Sequence, residues 1–431
     1  MNYEEEEAVE EAMMRSLYED TDVFPRDFGS ANILTREEIS GILKAHADEV
    51  VTATLKPIHI SRSNVWTTAV RQFSRTSFAE NLGTLYVTFA SDEMDGDEDA
   101  ADLGGPRREF FRLLVRAIFK DSGAFEETPN GFIPRMNIRH VQQKLYKMIG
   151  QMMATIIVQG GEPPAFLAPH VVDYIMTGDI NQVHVTPDDL ADASLRDSLK
   201  RIKGAGTQDE LEKILECCEW RFDVEGLPNP VTMENKHTFV NTAALYNMIL
   251  QRQSCLNQLI DGLSYYKVLP LLKDNPSMRI IILDMPTGLH LTPEVLAGLL
   301  KPSYSVLGSN RRPKEELIVV KFRAFLQSVQ SKELDETFQE RALTETEQDF
   351  LHNISLGHIL AFVTGSSQVP ATGFEPYPKM SFVHDDKHLP IAHTCSNELQ
   401  LFINSKTLAD GDFFEYSLLV ALMNGGMFSA V

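Results

Sequence analysis

Leu389-Pro390-Ile391-Ala392-His393-Thr394-Cys395-Ser396-Asn397-Glu398-Leu399-Gln400-Leu401 is the stretch whose reading decides the fold. An apolar start gives way to a short polar turn, and an alternating segment follows the cysteine. That pattern predicts a thiol presented at the edge of a sheet, with a strand over about 398–403. A cysteine is a nucleophile when it is partly exposed and its thiolate is stabilised by nearby donors or positive charge. His393 stands two residues before Cys395, so along a strand the two share one face and the imidazole polarises the thiol. The competing reading of any free cysteine is a small buried hydrophobe. It suits Cys217, Cys218 and Cys255, which lie in apolar, helix-patterned surroundings.

Working outward, the spacing predicts helices over about 316–331, 345–363 and 412–424 and a short strand over about 379–384. Together with the cysteine segment they make a small α+β unit. Upstream, Gly308-Ser309-Asn310-Arg311-Arg312-Pro313-Lys314 is polar, carries helix breakers and separates two apolar blocks. It reads as a boundary between a large and a small domain. The large block is mainly helical by pattern: Glu109 to Phe119, His140 to Val158, Pro164 to Met176, Asp197 to Ile202, Gln208 to Cys218 and Phe239 to Leu263. Leu85 to Ala90 is rich in β-branched and aromatic residues and reads as a strand, and acidic Asp92 to Asp102 reads as a mobile loop. Thr35-Arg36-Glu37-Glu38 has the form of a capped helix start, with a helix to about Val51.

The string Leu389-Pro390-x-Ala392-His393-Thr394-Cys395-x-Asn397-x-Leu399-x-Leu401 resembles the active-site signature of HECT-type ubiquitin ligases. Further likenesses follow in the family's order. Asp102-Leu103-Gly104-Gly105-Pro106-Arg107-Arg108-Glu109-Phe110-Phe111 and Val231-Thr232-x-Glu234-Asn235-Lys236 are similar to motifs of its N-terminal lobe. So are Asp261-Gly262-Leu263 and Leu269-Pro270. Ile359 to Ser367 with Val369-Pro370 and Gly373-Phe374 is similar to the helix and loop of its C-terminal lobe, and Phe428 stands where many members place a functional phenylalanine. The resemblance covers about residues 59–431 and is similar to the divergent G2/M-phase-specific type.

The resemblance implies an α+β, bilobal HECT fold. A large, mainly helical N-lobe would span 59–307, with an E2-binding sub-lobe at about 205–265. A flexible hinge would lie at 308–314, and a small α+β C-lobe would span 315–431. It implies that Cys395 takes ubiquitin from an E2 ubiquitin-conjugating enzyme as a thioester and passes it to a substrate lysine. His393 and Thr394 would orient or polarise that site, Asn397 would fix the following turn, and Phe428 would position the C-lobe during the second transfer. Two departures stand out: Ser396 follows the cysteine where the family often has an aromatic or apolar residue, and Phe402 replaces the usual proline after Leu-x-Leu. They bear on turnover rather than on the nucleophile. An alternative is a weakly active or inactive ubiquitin-binding adaptor that keeps the fold. A cysteine protease of the deubiquitinase kind is disfavoured, since no glycine-rich elbow surrounds Cys395.

Gly104-Gly105-Pro106 reads as a tight turn feeding a helix. Arg107 and Arg108 then form buried ion pairs or meet the C-lobe, a structural role being the plainer reading. His384 and His388 flank Asp385-Asp386 in what reads as a solvated loop, so neither a metal nor a cofactor is expected.

Residues 4–20 form an acidic helix by pattern. Glu5-Glu6-Glu7-Ala8-Val9-Glu10-Glu11-Ala12-Met13-Met14-Arg15-Ser16-Leu17-Tyr18-Glu19 resembles a ubiquitin-interacting motif. On a helix Val9, Ala12, Met13 and Ser16 share a face. The small alanine permits close approach to a shallow apolar patch, and the glutamates complement a basic rim. Residues 21–58 then hold a linker and a leading helix.

The formal net charge of −22 disfavours nucleic acid as a partner. No run approaches the roughly 18 to 20 apolar residues of a bilayer span, and the glutamate-rich start lacks the basic and apolar regions of a signal peptide. Four cysteines without zinc-ligand spacing read as reduced thiols in a cytoplasmic or nuclear protein.

Overall fold

In the computed structural model, residues 34–90, 104–224, 226–284, 291–334, 337–338, 341–342, 344–385 and 389–425 are described. Residues 4–20 with Val9, Ala12, Met13 and Ser16, the acidic stretch 92–102, His388 and Phe428 lie outside them or largely so.

The chain is α+β, with two separate apolar cores. Helix α1 (Arg36–Val50) starts at a capping box: the Thr35 hydroxyl accepts from the Glu38 N–H, and the Glu38 carboxylate accepts from the Thr35 N–H at 2.7 Å. Strands β1 (Thr52–Ser61) and β2 (Gly83–Ala90) pair in parallel, Ile58 beside Val87. Alternation buries Ile58 and Ile60 on one strand and Leu85, Val87 and Phe89 on the other. The sequence reading finds β2 but misses β1. Pro57 interrupts its pattern, yet among the described residues β1 pairs with β2 alone and is an edge, where proline is tolerated.

Helices α2 (Gly105–Lys120), α3 (Leu145–Val158) and α4 (Gln253–Leu263) build the first core. The α3–α4 crossing is close: a Cβ at Gly150 would lie 2.4 Å from the Leu259 carbonyl oxygen, and one at Gly262 would lie 2.1 Å from that of Lys147. Three long expected helices are broken. The one expected over about 345–363 divides at Ile354 and Ser355 into Glu345–Asn353 and Leu356–Thr364. His140 to Val158 is interrupted at Lys144, whose φ is +55°, and Phe239 to Leu263 is interrupted between Met248 and Gln253. Periodicity continues through such kinks because the chain on both sides faces one core. The helix expected from Pro164 starts instead at Pro169, where proline takes the first turn.

The second core gathers α5 (Pro293–Leu299), β3 (Lys301–Pro302), α6 (Arg312–Ser331), α7 (Leu356–Thr364), β4 (Lys379–Val383), β5 (Ile391–His393), β6 (Glu398–Phe402) and α8 (Gly411–Asn424). Its sheet runs β3-β4-β6-β5, with β6 parallel to β4 and antiparallel to β5. The core already includes Leu296 and Leu300, so residues 308–314 fall inside this unit rather than ahead of it. Glu315 explains the difference. It is buried and accepts from the Ser305 N–H at 2.7 Å, the Ser305 hydroxyl at 2.6 Å and His384 Nε2 at 3.1 Å. The polar run is thus a turn tied down on both sides, and the connection between cores runs from Leu283 to Leu296.

Candidate active site

Cys395 occupies the turn of the β5–β6 hairpin. His393 pairs with Glu398 across the hairpin, and the Ser396 N–H donates to the His393 carbonyl at 3.1 Å. Strand β5 ends at His393, so the alternation that would place His393 and Cys395 on one face stops before the cysteine. Across the ladder His393 faces Glu398 instead. The Ser381 hydroxyl at 2.6 Å lowers the Glu398 carboxyl below the ordinary range most; burial opposes this, and Lys379 at 3.0 Å adds to it.

Asn397 closes the turn with φ +52°, a left-handed conformation that asparagine adopts more readily than most residues. It is fully buried. Its Nδ2 donates to the Pro376 carbonyl at 2.6 Å, and its own carbonyl accepts from the Lys379 N–H at 2.9 Å. The expectation that Asn397 fixes the following turn matches this geometry.

The turn lies on the first core's side, against the start of α2. A Cβ on Gly105 would fall 2.6 Å from Thr394 Oγ1 and 3.1 Å from the Cys395 nitrogen, so only glycine admits the hairpin this closely. Arg108, one turn along α2 and buried, donates through Nη2 to the Thr394 carbonyl at 2.5 Å and to Asn397 Oδ1 at 2.7 Å. Its Nε donates to the Thr364 carbonyl at 2.8 Å. One guanidinium therefore bonds the residue before the cysteine, the residue two after it, and the end of α7.

Two further links flank this one. Buried Glu162 accepts from the Ser367 N–H at 3.1 Å and the Ser367 hydroxyl at 2.8 Å, and burial raises its carboxyl above the ordinary range despite these donors and Arg112. On α1, Arg36 Nη2 donates to the Val369 carbonyl at 2.8 Å, and the Ser40 hydroxyl to that of Thr372 at 2.7 Å. The sequence reading left Arg108 between two roles and singled out none of Glu162, Arg36 or Ser40. The adjacent glycines before Arg108 were the one available signal of a close backbone approach. Nothing near Glu162 or α1 advertised a partner over 200 residues away.

Cys395 is partly exposed, and Leu389 and Ile391 beside it are exposed apolar side chains. Cys218 and Cys255 are buried, and burial pushes both thiols up. A buried, protonated thiol is a poor nucleophile. Cys217 is exposed but sits at the end of a helix remote in sequence from the hairpin. Among the described residues no His, Cys, Asp and Glu group is arranged to hold a metal ion, and no helix is long and apolar enough to cross a membrane.

Cys395, partly exposed on a hairpin turn, thus lies where the two cores of this α+β chain meet. The family model described as HECT-domain (ubiquitin-transferase) matches residues 112–273 and 318–431, and the chain belongs to that family. It is 26% identical over 370 residues to the G2/M phase-specific E3 ubiquitin-protein ligase of Gallus gallus, covering 85% of this chain and 45% of that protein. It is 23% identical over 351 residues to the protein of that name from Homo sapiens, covering 81% and 45%. With the Apoptosis-resistant E3 ubiquitin protein ligase 1 of Homo sapiens it shares 25% identity over 364 residues, covering 77% and 39%. The chain spans less than half the length of these relatives.

Proposed function

We propose that this chain is a HECT-type E3 ubiquitin-protein ligase that carries ubiquitin as a thioester on Cys395. The observation that carries the reading is the partly exposed Cys395 on a hairpin turn, in a chain of the ubiquitin-transferase family. Cys395 loses its proton to solvent, and its sulfur attacks the carbonyl of the E2–ubiquitin thioester. A new thioester forms, and the E2 cysteine leaves as a thiol after taking up a proton. The amine of a substrate lysine then attacks the Cys395 thioester. An isopeptide bond forms, the amine gives up a proton, and the Cys395 thiol is regenerated. Each step needs reacting atoms within about 3 to 3.5 Å, so one thiol must visit two partners.

That need supports a bilobal arrangement, with the second core as the mobile C-lobe. E2 docking falls to the span of about 205–265, where Phe222 is an aromatic side chain 76% exposed. His393 and Thr394 orient the turn, Phe428 assists the second transfer, and Val9, Ala12, Met13 and Ser16 bind ubiquitin weakly through one short motif. Four reduced cysteines agree with work in the cytoplasm or nucleus, with protein partners and neither nucleic acid nor membrane.

The test is incubation with E1, a panel of E2 enzymes, ATP and ubiquitin, followed by a non-reducing gel. A thiol-sensitive ubiquitin adduct that Cys395→Ala abolishes is expected. No adduct with any E2 would sink the ligase reading and favour the adaptor. For the N-terminal motif, titration of labelled ubiquitin with peptide 1–21 is expected to show binding that Ala12→Asp removes.

A further inference from the structure

We infer that Arg108 is a positioning residue for the second transfer: it holds the Cys395 turn rigid on the N-lobe while ubiquitin passes to its acceptor amine. This rests on the ligase reading above.

The argument starts from which atoms Arg108 grips. Thr394 and Asn397 bracket Cys395, and Nη2 bonds one atom of each, at 2.5 Å and 2.7 Å. The Nε bond to Thr364 at 2.8 Å sets the plane of the guanidinium against the end of α7, so the fork cannot swivel away from the turn. Asn397 is braced from behind by Pro376 and Lys379. The turn is thus clamped between its own sheet and a cation from the other core, while the cysteine keeps part of its surface open. Flanks fixed and thiol accessible is the geometry wanted when a small amine must reach a thioester without a large partner to align it.

Loading makes a different demand. During loading the E2 brings its own surface and orients the two sulfurs itself. The residues that hold the turn and its surroundings are Gly105, Arg108, Glu162, Arg36 and Ser40, and none lies in the proposed E2-docking span of 205–265. The clamped state is therefore one the C-lobe leaves to meet the E2 and returns to afterwards. Its bonds suit a reversible contact. The Thr394 carbonyl and Asn397 Oδ1 are acceptors that water can serve when the lobes part, so separation leaves no polar group stranded.

The experiment separates the two half-reactions on the full chain. Loading is followed by single-turnover transfer from E2–ubiquitin. Discharge is followed by chasing the loaded chain with free lysine after E2 charging is quenched. For Arg108→Ala, loading is expected to stay within about threefold of wild type, while discharge falls on the order of 100-fold, the effect of losing two charge-assisted hydrogen bonds at the turn. Arg108→Lys keeps the charge but not the fork, and is expected to recover only part of the rate. The Arg108→Ala, Asn397→Ala double variant is expected to lose less than the product of the two single losses, since the two share the Nη2–Oδ1 bond while each also removes bonds of its own. Loading and discharge falling together, in Arg108→Lys as in Arg108→Ala, would overturn the assignment and mark Arg108 as merely structural. Discharge indifferent to both variants would overturn it as well. Failure of the wild-type chain to load at all overturns the ligase reading and the inference with it, a result distinct from either.

Discussion

The α3–α4 crossing and the seam around Cys395 are both places where backbone meets backbone closely, and they are built from opposite materials. At the crossing, Gly150 and Gly262 let two apolar helices touch inside one core. Contact of that kind is non-directional and is lost only by exposing hydrocarbon to water. At the seam, side chains of the first core reach backbone carbonyls, an amide and a hydroxyl of the second: Arg108 to Thr364 and Thr394, Arg36 to Val369, Ser40 to Thr372, Glu162 from Ser367. Ala371 is the one residue of that side packed into the first apolar core, among the described residues. Polar groups of this kind can be re-solvated, so the seam can open at little cost while the crossing cannot. A permanent scaffold and a releasable contact thus lie side by side.

Three substitutions test that contrast. The largest effect belongs to the crossing. Gly262→Ala sets a methyl against the Lys147 carbonyl and is expected to destabilise the fold by about 2 to 3 kcal/mol, read as a lower urea midpoint. An unchanged midpoint would mean the helices can part freely. Gly105→Ala sets the same methyl against the seam, 2.6 Å from Thr394 Oγ1. Here the expected outcome is faster amide exchange at 394–397 with a urea midpoint lowered by less than that of Gly262→Ala, and an equal loss at both sites would erase the distinction.

The smallest effect is electrostatic. Burial holds the Glu162 carboxyl above its ordinary range, so the folded chain keeps a proton that the unfolded chain releases. The stability this group contributes is fully present below the ordinary carboxylate value. It is lost as pH rises from there through the folded value. Glu162→Gln is expected to flatten that decline above the ordinary carboxylate range in denaturant titrations. Parallel curves for wild type and variant would show that Glu162 titrates alike in both states.

Much of this was legible in the sequence because periodicity and capping are local. The Thr35–Glu38 capping box, β2, β4, β6, α6 and α8 lie where the pattern puts them. What failed was non-local. The boundary was read at 308–314 because glycine and proline mark it, yet Glu315 ties that run to Ser305 and His384, a fact invisible from composition. His393 and Cys395 were set on one face by a rule that holds only while a strand continues, and β5 ends at His393. The cysteine itself stood out, but Arg108 and Glu162, which hold its surroundings, come from segments more than 200 residues away. The family was readable; the seam that seats Cys395 required coordinates.

The most direct test of the central claim is peptide mapping of the ubiquitin adduct formed after E2 charging. The adduct is expected as a thioester on the peptide carrying Cys395, absent in Cys395→Ala and unaffected in Cys255→Ala. An adduct on Cys217, Cys218 or Cys255, or one that survives Cys395→Ala, would contradict the account.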